Sequence, residues 1–194
     1  MSLLYIIIAV LVVVVLWAIF GYNKFVRLVN QTKEAWADID VQLKRRYDLI
    51  PNLVESVKGY ASHERGTFED VINARAKATQ VHVDPSNITP AQITAMAGAE
   101  QGLSQALGKL MVVAEAYPDL KANQNFMKLQ EELVDTENKI QASRRFYNGN
   151  VRDLAIAIQS FPSNVIAGMF NFVEQAYFEL EEGSVEREAV KVSF

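Results

Sequence analysis

The chain of 194 residues contains no cysteine, so disulfides, thiolate nucleophiles and zinc sites built on cysteine are all excluded. Histidine is scarce as well: His63 and His82 are the only two, and neither stands near a second histidine. Tyr60 and Thr79 occupy the positions three residues before them, so the Glu-x-x-His motif of di-iron bundles is missing. The glycines form no phosphate-binding loop. We therefore predict that the protein is not an enzyme and uses no metal or cofactor.

An excess of basic charge is also lacking. The formal net charge is −4, which gives no reason to expect a nucleic-acid partner. Hydrophobic residues make up 50% of the chain and charged residues 22%. This composition favours a well-packed core over disorder.

Charged side chains are absent before Lys24, and the apolar run LLYIIIAVLVVVVLWAIF extends from Leu3 to Phe20. At about 1.5 Å per residue this run covers roughly 27 Å of helix, close to the thickness of the hydrocarbon core of a bilayer. Aromatic side chains stand near its end, where interfacial aromatics belong. We assign residues 1–21 to a transmembrane anchor that contacts the lipid bilayer. The anchor and its interface include Leu3, Leu11, Trp17, Phe20 and Tyr22.

An uncleaved anchor has two alternatives. A cleaved signal peptide would require a basic start and a cleavage site between small residues, and the chain shows neither. A buried helix of a soluble protein is the other alternative. Basic side chains follow the run at Lys24, Arg27 and Lys33, whereas none precedes it. The positive-inside rule therefore predicts an external N-terminus and a cytoplasmic body.

A helical seam begins where the apolar run ends. Between Tyr22 and Tyr60, inward positions alternate spacings of three and four residues, which gives a repeat every seven residues. Comparable seams follow along the chain, and no strand pattern competes with them. We predict an all-α protein: an anchor, a long up-down antiparallel four-helix bundle over residues 22–161, and a short C-terminal amphipathic helix over 162–181. Residues 182–194 are predicted to be a charged flexible tail.

Three basic residues and a proline lie along the helix that carries the first seam, at Lys44, Arg45, Arg46 and Pro51. On a helix, Lys44, Arg45 and Pro51 all project outward, and only Arg46 occupies a seam position. An outward proline removes one backbone hydrogen bond, the one to the carbonyl of Tyr47, and bends the helix around its core. Lys44 and Arg45 form either a solvated face or a docking face for a protein partner.

Arg46 occupies a seam position. Its aliphatic part must therefore extend so that the guanidinium lies in water, or the guanidinium must pair with an acidic side chain. In an up-down bundle, Glu100 on the third helix lies near the height of Arg46, and Glu137 on the fourth helix reaches a similar height. We predict a buried polar cluster in which Arg46 pairs with Glu100, with Glu137 as the alternative partner. Such a cluster would fix helix register more than it adds stability, because desolvation offsets much of the attraction.

Large aromatic residues mark the C-terminal amphipathic helix. The up-down order returns this segment to the membrane end of the bundle, where its apolar side would contact the bilayer or a second copy of the chain. Packing against its own bundle is the alternative. The residues concerned are Phe161, Phe170, Phe172 and Phe178.

Two blocks of the sequence resemble a known family. They are YNKFVRLVNQTKEAWADIDVQLKRRYDLIPNLVESVKGYASHE at residues 22–64 and AYPDLKANQNFMKLQEELVDTENKIQASRRFYNGNVRDLAIAIQSFPSNVIAGMFNF at residues 116–172. Both are similar to the LemA family of bacterial membrane proteins. The resemblance implies a single N-terminal helix in the bacterial inner membrane and a helical bundle in the cytoplasm. It supplies no catalytic residues, and one branch of the family is associated with magnetosome membranes.

Two functions of different classes follow. The first is a membrane-tethered, non-enzymatic structural or interaction protein, which assembles as a homo-oligomer or forms a scaffold at the inner face of a bacterial membrane. The alternative is a signalling or sensing adaptor that relays a change between the membrane and a cytoplasmic protein partner. The seams suit both functions, because small residues at Thr136, Ser143 and Ala157 allow close helix packing.

Overall fold

The structure, a computed structural model, describes residues 2–85 and 88–179, and all regular elements in these ranges are α-helices. The prediction of an all-α protein with a long apolar N-terminal helix is confirmed. The helices are α1 (Ser2–Lys58), α2 (Arg65–Gln80), α3 (Pro90–Glu115), α4 (Pro118–Lys121), α5 (Gln124–Gln159) and α6 (Ser163–Phe170).

Helix α1 runs without interruption for 57 residues, from the apolar run into the bundle. The predicted seam is buried from Phe25 to Val57 except at Val29, which is half-buried, whereas its two end positions, Tyr22 and Tyr60, are exposed. Thr32 is buried in the seam, and its hydroxyl donates to the carbonyl of Leu28 at 3.0 Å. The periodic pattern therefore forms one continuous inward face that needs no break in the helix.

The helices alternate in direction along the bundle. Helix α5 lies antiparallel to α1, with Tyr147 against Trp36 near one end and Glu137 against Arg46 farther along. Helix α3 runs parallel to α1, since Ile93 packs in the same core cluster as Ile39 whereas Leu110 packs in the cluster of Val57. Helix α2 lies beside the far end of α1 and pairs closely with α3.

The bundle does not contain four helices at every level along its axis. Helix α2 has 16 residues and spans about 24 Å, so it covers only part of α1. The core cluster nearest the apolar run consists of Phe25 on α1, Leu154 and Ala157 on α5, and Ile166 and Ala167 on α6. The end of the bundle that adjoins the apolar run is therefore built from α1, α5 and α6 in the described part of the chain.

The start of α3 shows how local sequence sets a helix boundary. Thr89 accepts a hydrogen bond from the backbone of Gln92 at 3.3 Å, and the Gln92 side chain accepts one from the backbone of Thr89 at 3.0 Å. Pro90 follows at the first helical position, where its missing N–H has no partner to lose. This capping box fixes the level at which α3 begins beside α1.

Pro51 lies on the exposed side of α1, within the helix. Because proline has no N–H, the carbonyl of Tyr47 loses its usual partner within the helix. That carbonyl instead accepts a hydrogen bond from Nε of Arg75 on α2, at 2.7 Å. The proline thus opens an acceptor that a second helix uses, and α2 is tied to α1 at this point.

The C-terminal helix predicted over residues 162–181 is too long. Helix α6 ends at Phe170, because Asn171 adopts a left-handed conformation with φ of 55° that reverses the chain. Residues 172–179 are not helical and run back along α1 and α5. Asn148 holds this return segment, since it donates to the carbonyl of Phe178 at 3.2 Å and accepts from its backbone N–H at 2.8 Å. The predicted tail over 182–194 lies outside the described residues.

Candidate functional site

The apolar run of α1 stands free of the bundle. Its most hydrophobic window has none of its residues buried, and length and composition make it a candidate membrane span. This exposure disagrees with the alternative of a buried helix in a soluble core. The predicted anchor positions are all exposed: Leu3, Leu11, Trp17, Phe20 and Tyr22.

A layer of polar side chains crosses the bundle in its middle, and we call it the polar layer. Its members are Arg46, Tyr47, Arg75, Glu100 and Glu137. They come from α1, α2, α3 and α5, so the layer links four helices. Sequence reasoning found three of the five residues and missed Tyr47 and Arg75. The signal for Arg75 was Pro51, which frees the carbonyl that Arg75 binds.

Arg46 is the centre of the polar layer. It is 2% exposed, and its guanidinium pairs with Glu100 through Nη2 and with Glu137 through Nη1, the latter at 2.5 Å. Sequence reasoning offered the two acids as alternatives, and the structure brings both to the arginine. Glu100 is buried, whereas the side chain of Glu137 is 35% exposed. The charge of Arg46 is therefore compensated on one side inside the core and on the other side at its edge.

Tyr47 donates a hydrogen bond to Glu100 through its hydroxyl. Burial raises the pKa of Tyr47 to about 12, although Arg46 opposes the shift. The phenol therefore stays protonated at neutral pH and acts as a donor. Because Glu100 accepts a hydrogen bond from Tyr47 through Oε1 and pairs with the charge of Arg46 through Oε2, its carboxylate is compensated although it is buried.

The polar layer resembles a structural network more than a reactive site. Its charged groups pair with one another, and the cavity lined by Arg46, Glu100 and Glu137 together measures about 20 Å³, too small for an organic substrate. A shallow open cleft of about 300 Å³ touches Arg46 and Glu137 from the surface and does not reach Glu100. Within residues 2–85 and 88–179, no three His, Asp or Glu side chains cluster in a way that would hold a metal ion.

The outward basic residues Lys44 and Arg45 are both exposed. Arg45 lies 3.7 Å from Asp135 on α5, and Lys139 lies 2.9 Å from the same carboxylate. The hydrogen bond from Lys139 lowers the pKa of Asp135 below its usual value. Surface pairs of this kind contribute little to stability. The prediction that Lys44 and Arg45 form a docking face for a protein partner stays a prediction.

The four phenylalanines predicted to contact a membrane or a second copy of the chain differ in exposure and in packing. Phe161 is 84% exposed, and Phe170 is half-exposed with its ring 4.8 Å from that of Tyr22. Phe172 stacks on Phe25 at 4.9 Å. For Phe178 the prediction is wrong, because this side chain is buried on its own bundle, against the ring of Trp36 and beneath the guanidinium of Arg144.

An exposed apolar helix that continues into an all-α bundle defines a membrane-associated helical protein. A profile of the LemA family matches residues 35–194. The chain belongs to the LemA family.

Named relatives are similar at low identity over most of the chain. Magnetosome protein MamQ 2 of Paramagnetospirillum magneticum is 27% identical over 175 residues, which cover 81% of this chain and 64% of that protein. MamQ of Magnetospirillum gryphiswaldense is 25% identical, with the same two shares covered. Protein LemA of Metamycoplasma hominis is 26% identical over 88% of this chain and 74% of that protein. The chain thus spans 64% of the length of the MamQ proteins it matches.

Proposed function

We propose that this protein is a membrane-tethered, non-enzymatic structural or interaction protein that self-assembles or forms a scaffold at the inner face of a bacterial membrane. The observation that carries the proposal is α1, in which the exposed apolar run and the bundle seam share one helix of 57 residues. At about 1.5 Å per residue, this helix is a rod of roughly 86 Å. Such a rod holds a bundle at a defined distance from a bilayer.

Two further observations support an interaction role. The polar layer directs its charges toward one another, and this suits a scaffold better than a reaction centre. Relatives named magnetosome proteins and a relative named LemA share most of this chain. By analogy with the magnetosome proteins, we propose that the chain acts at a membrane-bound assembly.

The alternative function, a sensing or signalling adaptor, is favoured by the continuity of α1. A helix without a break transmits a rotation or a shift from the membrane to the bundle, where Arg46 connects it to α3 and α5. In this alternative, Lys44 and Arg45 form the docking face for a cytoplasmic protein. The two functions differ in what must bind the bundle, namely a second copy or a different protein.

The orientation proposed for the anchor predicts the fate of a tag at the C-terminus. Lys24 and Arg27 follow the apolar run, so the bundle should stay in the cytoplasm. A protease added to intact spheroplasts should leave the tag whole, and lysis should make it cleavable. Digestion of the tag before lysis would reverse the orientation.

The mass of the native particle distinguishes the two functions. After mild solubilisation of the full-length protein, we expect a defined homo-oligomer without a stoichiometric second protein, and light scattering in detergent measures it. A stoichiometric partner would support the adaptor instead, and Lys44→Glu with Arg45→Glu should then release that partner. Lys58→Glu is the matched control, because Lys58 is an exposed basic residue of the same helix, roughly 21 Å beyond Lys44. A monomer without any partner would contradict both functions.

A further inference from the structure

At the end of the bundle next to the apolar run, the part that comes from the end of α5 and from α6 lacks charged residues. Between Asp153 and Glu174 the chain contains no Asp, Glu, Lys or Arg, although 22% of all residues are charged. This interval holds the end of α5, the whole of α6 and the reversal at Asn171. A stretch of this length without a charged residue is uncommon on the part of a protein that faces water.

Helix α6 packs against α1 at the point where the apolar run ends. Gly21 follows Phe20 directly, and a Cβ atom at Gly21 would lie 2.1 Å from Cδ1 of Ile166. Ile166 and Ala167 are buried there with Phe25. Since Gly21 is one residue past the run, α6 lies within about 1.5 Å of its end along the helix axis.

The outward side of this end is apolar. Phe161, Val165 and Met169 recur at every fourth position and are 84%, 48% and 72% exposed, and Val173, beyond the reversal at Asn171, is 64% exposed. None of them is covered by the described part of the chain. Phe170 meets Tyr22 edge to face, so this surface continues into that of α1.

Contacts on both sides hold this end of the bundle in place. Before α6, the hydroxyl of Ser163 donates to the carbonyl of Ala157 at 2.7 Å. After it, Phe172 stacks on Phe25, and the hydroxyl of Tyr147 donates to the carbonyl of Ala176 at 2.8 Å. The apolar surface of α6 is therefore fixed at the level of Gly21.

We propose that α6, with the turns on either side of it, lies in the interfacial layer of the bilayer and forms a second membrane contact beside the transmembrane helix. This inference rests on the proposed function, because α1 must be the anchor that sets the level of the bilayer. Lipid is the occupant since the surface formed by residues 154–173 contains no charged residue and is continuous with the lipid-facing surface of α1. An apolar helix face that lies flat in the interface gains free energy from the area it removes from water.

Basic residues above this surface fit the same arrangement. Lys24 and Arg27 are exposed on α1, roughly 6 and 10 Å beyond Phe20. At these heights their charges reach the headgroups of anionic lipids, whose attraction extends over about a Debye length. Two contacts, one through the bilayer and one along its surface, would restrict the tilt of the bundle relative to the membrane.

Spin labelling tests this proposal, because a chain without cysteine accepts one label at one chosen position. Nitroxides are attached to Val165→Cys and Met169→Cys in the full-length protein, reconstituted at one copy per nanodisc. Leu11→Cys is the reference for lipid, and Val112→Cys, which is 69% exposed on α3, is the reference for water. We expect oxygen to relax the labels at 165 and 169 several-fold more effectively than a water-soluble nickel complex does, with the opposite preference at 112.

Three results would overturn the proposal, each for a different reason. If the labels at 165 and 169 match the one at 112 while the one at 11 lies in lipid, α6 faces water and the anchor stands. If they are shielded only when several copies share a liposome, with spin–spin broadening, a second copy covers the surface. If the label at 11 is also open to nickel, the anchor itself is wrong and the proposed function fails with it. A label at Phe161→Cys repeats the test if a substitution within α6 lowers the helical circular dichroism signal.

Discussion

Replacing Arg46 with methionine should destabilise the protein by about 3–5 kcal/mol, the usual cost of leaving a buried charge without its partner. Glu100 is buried and would keep only the hydroxyl of Tyr47 as a donor. Glu100→Gln should cost less, because Arg46 keeps Glu137 and the new amide oxygen still accepts from Tyr47. The measurement is denaturant unfolding of the full-length protein in detergent, followed by helical circular dichroism.

The double variant Arg46→Met with Glu100→Gln shows whether the two residues interact. Its destabilisation should be smaller than the sum of the two single effects, since residues that share one ion pair are coupled. Arg45→Met is the matched control, because Arg45 is an exposed neighbour whose pair with Asp135 spans 3.7 Å. This control should change stability by no more than about 0.5 kcal/mol. Additive effects of the two substitutions, or a silent Arg46→Met, would show that the pair contributes nothing.

Tyr147→Ala should be comparably damaging, with a loss of about 3–5 kcal/mol, the range found when a buried aromatic side chain is removed. Tyr147 is fully buried, its ring meets Trp36 edge to face at 5.3 Å, and its hydroxyl holds the return segment at Ala176. The substitution opens a cavity in the core and frees the segment that follows α6. Denaturant unfolding measures the loss, and faster proteolysis between residues 172 and 179 would report the freed segment.

Phe146→Ala is the control for this prediction, since it removes an aromatic side chain from the neighbouring position of α5. Phe146 is 59% exposed, so its loss should change stability by no more than about 0.5 kcal/mol. Tyr147→Phe separates the ring from the hydroxyl and should cost about 1 kcal/mol, the net value of a typical hydrogen bond. Equal losses for Phe146→Ala and Tyr147→Ala would contradict the assignment of the core face of α5.

The sequence by itself determined the helical class of the protein and the inward face of α1. The apolar residues of α1 repeat with the period of the helix, so the chain predicted which positions turn inward, Arg46 among them. The outward placement of Pro51 followed from the same periodicity, and the start of α3 followed from Thr89, Pro90 and Gln92. These features depend on residues within one or two turns of each other, and the geometry of a single helix connects them.

The tertiary structure alone decided which side chains of different helices meet. Sequence spacing could not tell that Arg46 reaches Glu100 and Glu137 together, or that Arg75 caps the carbonyl freed by Pro51. Those contacts depend on the axial shift and crossing of helices that are far apart in the chain, which no local period encodes. The same reason explains the wrong prediction for Phe178. One left-handed residue, Asn171, ends α6 and turns the chain back, so that Phe178 packs in the core beside Trp36.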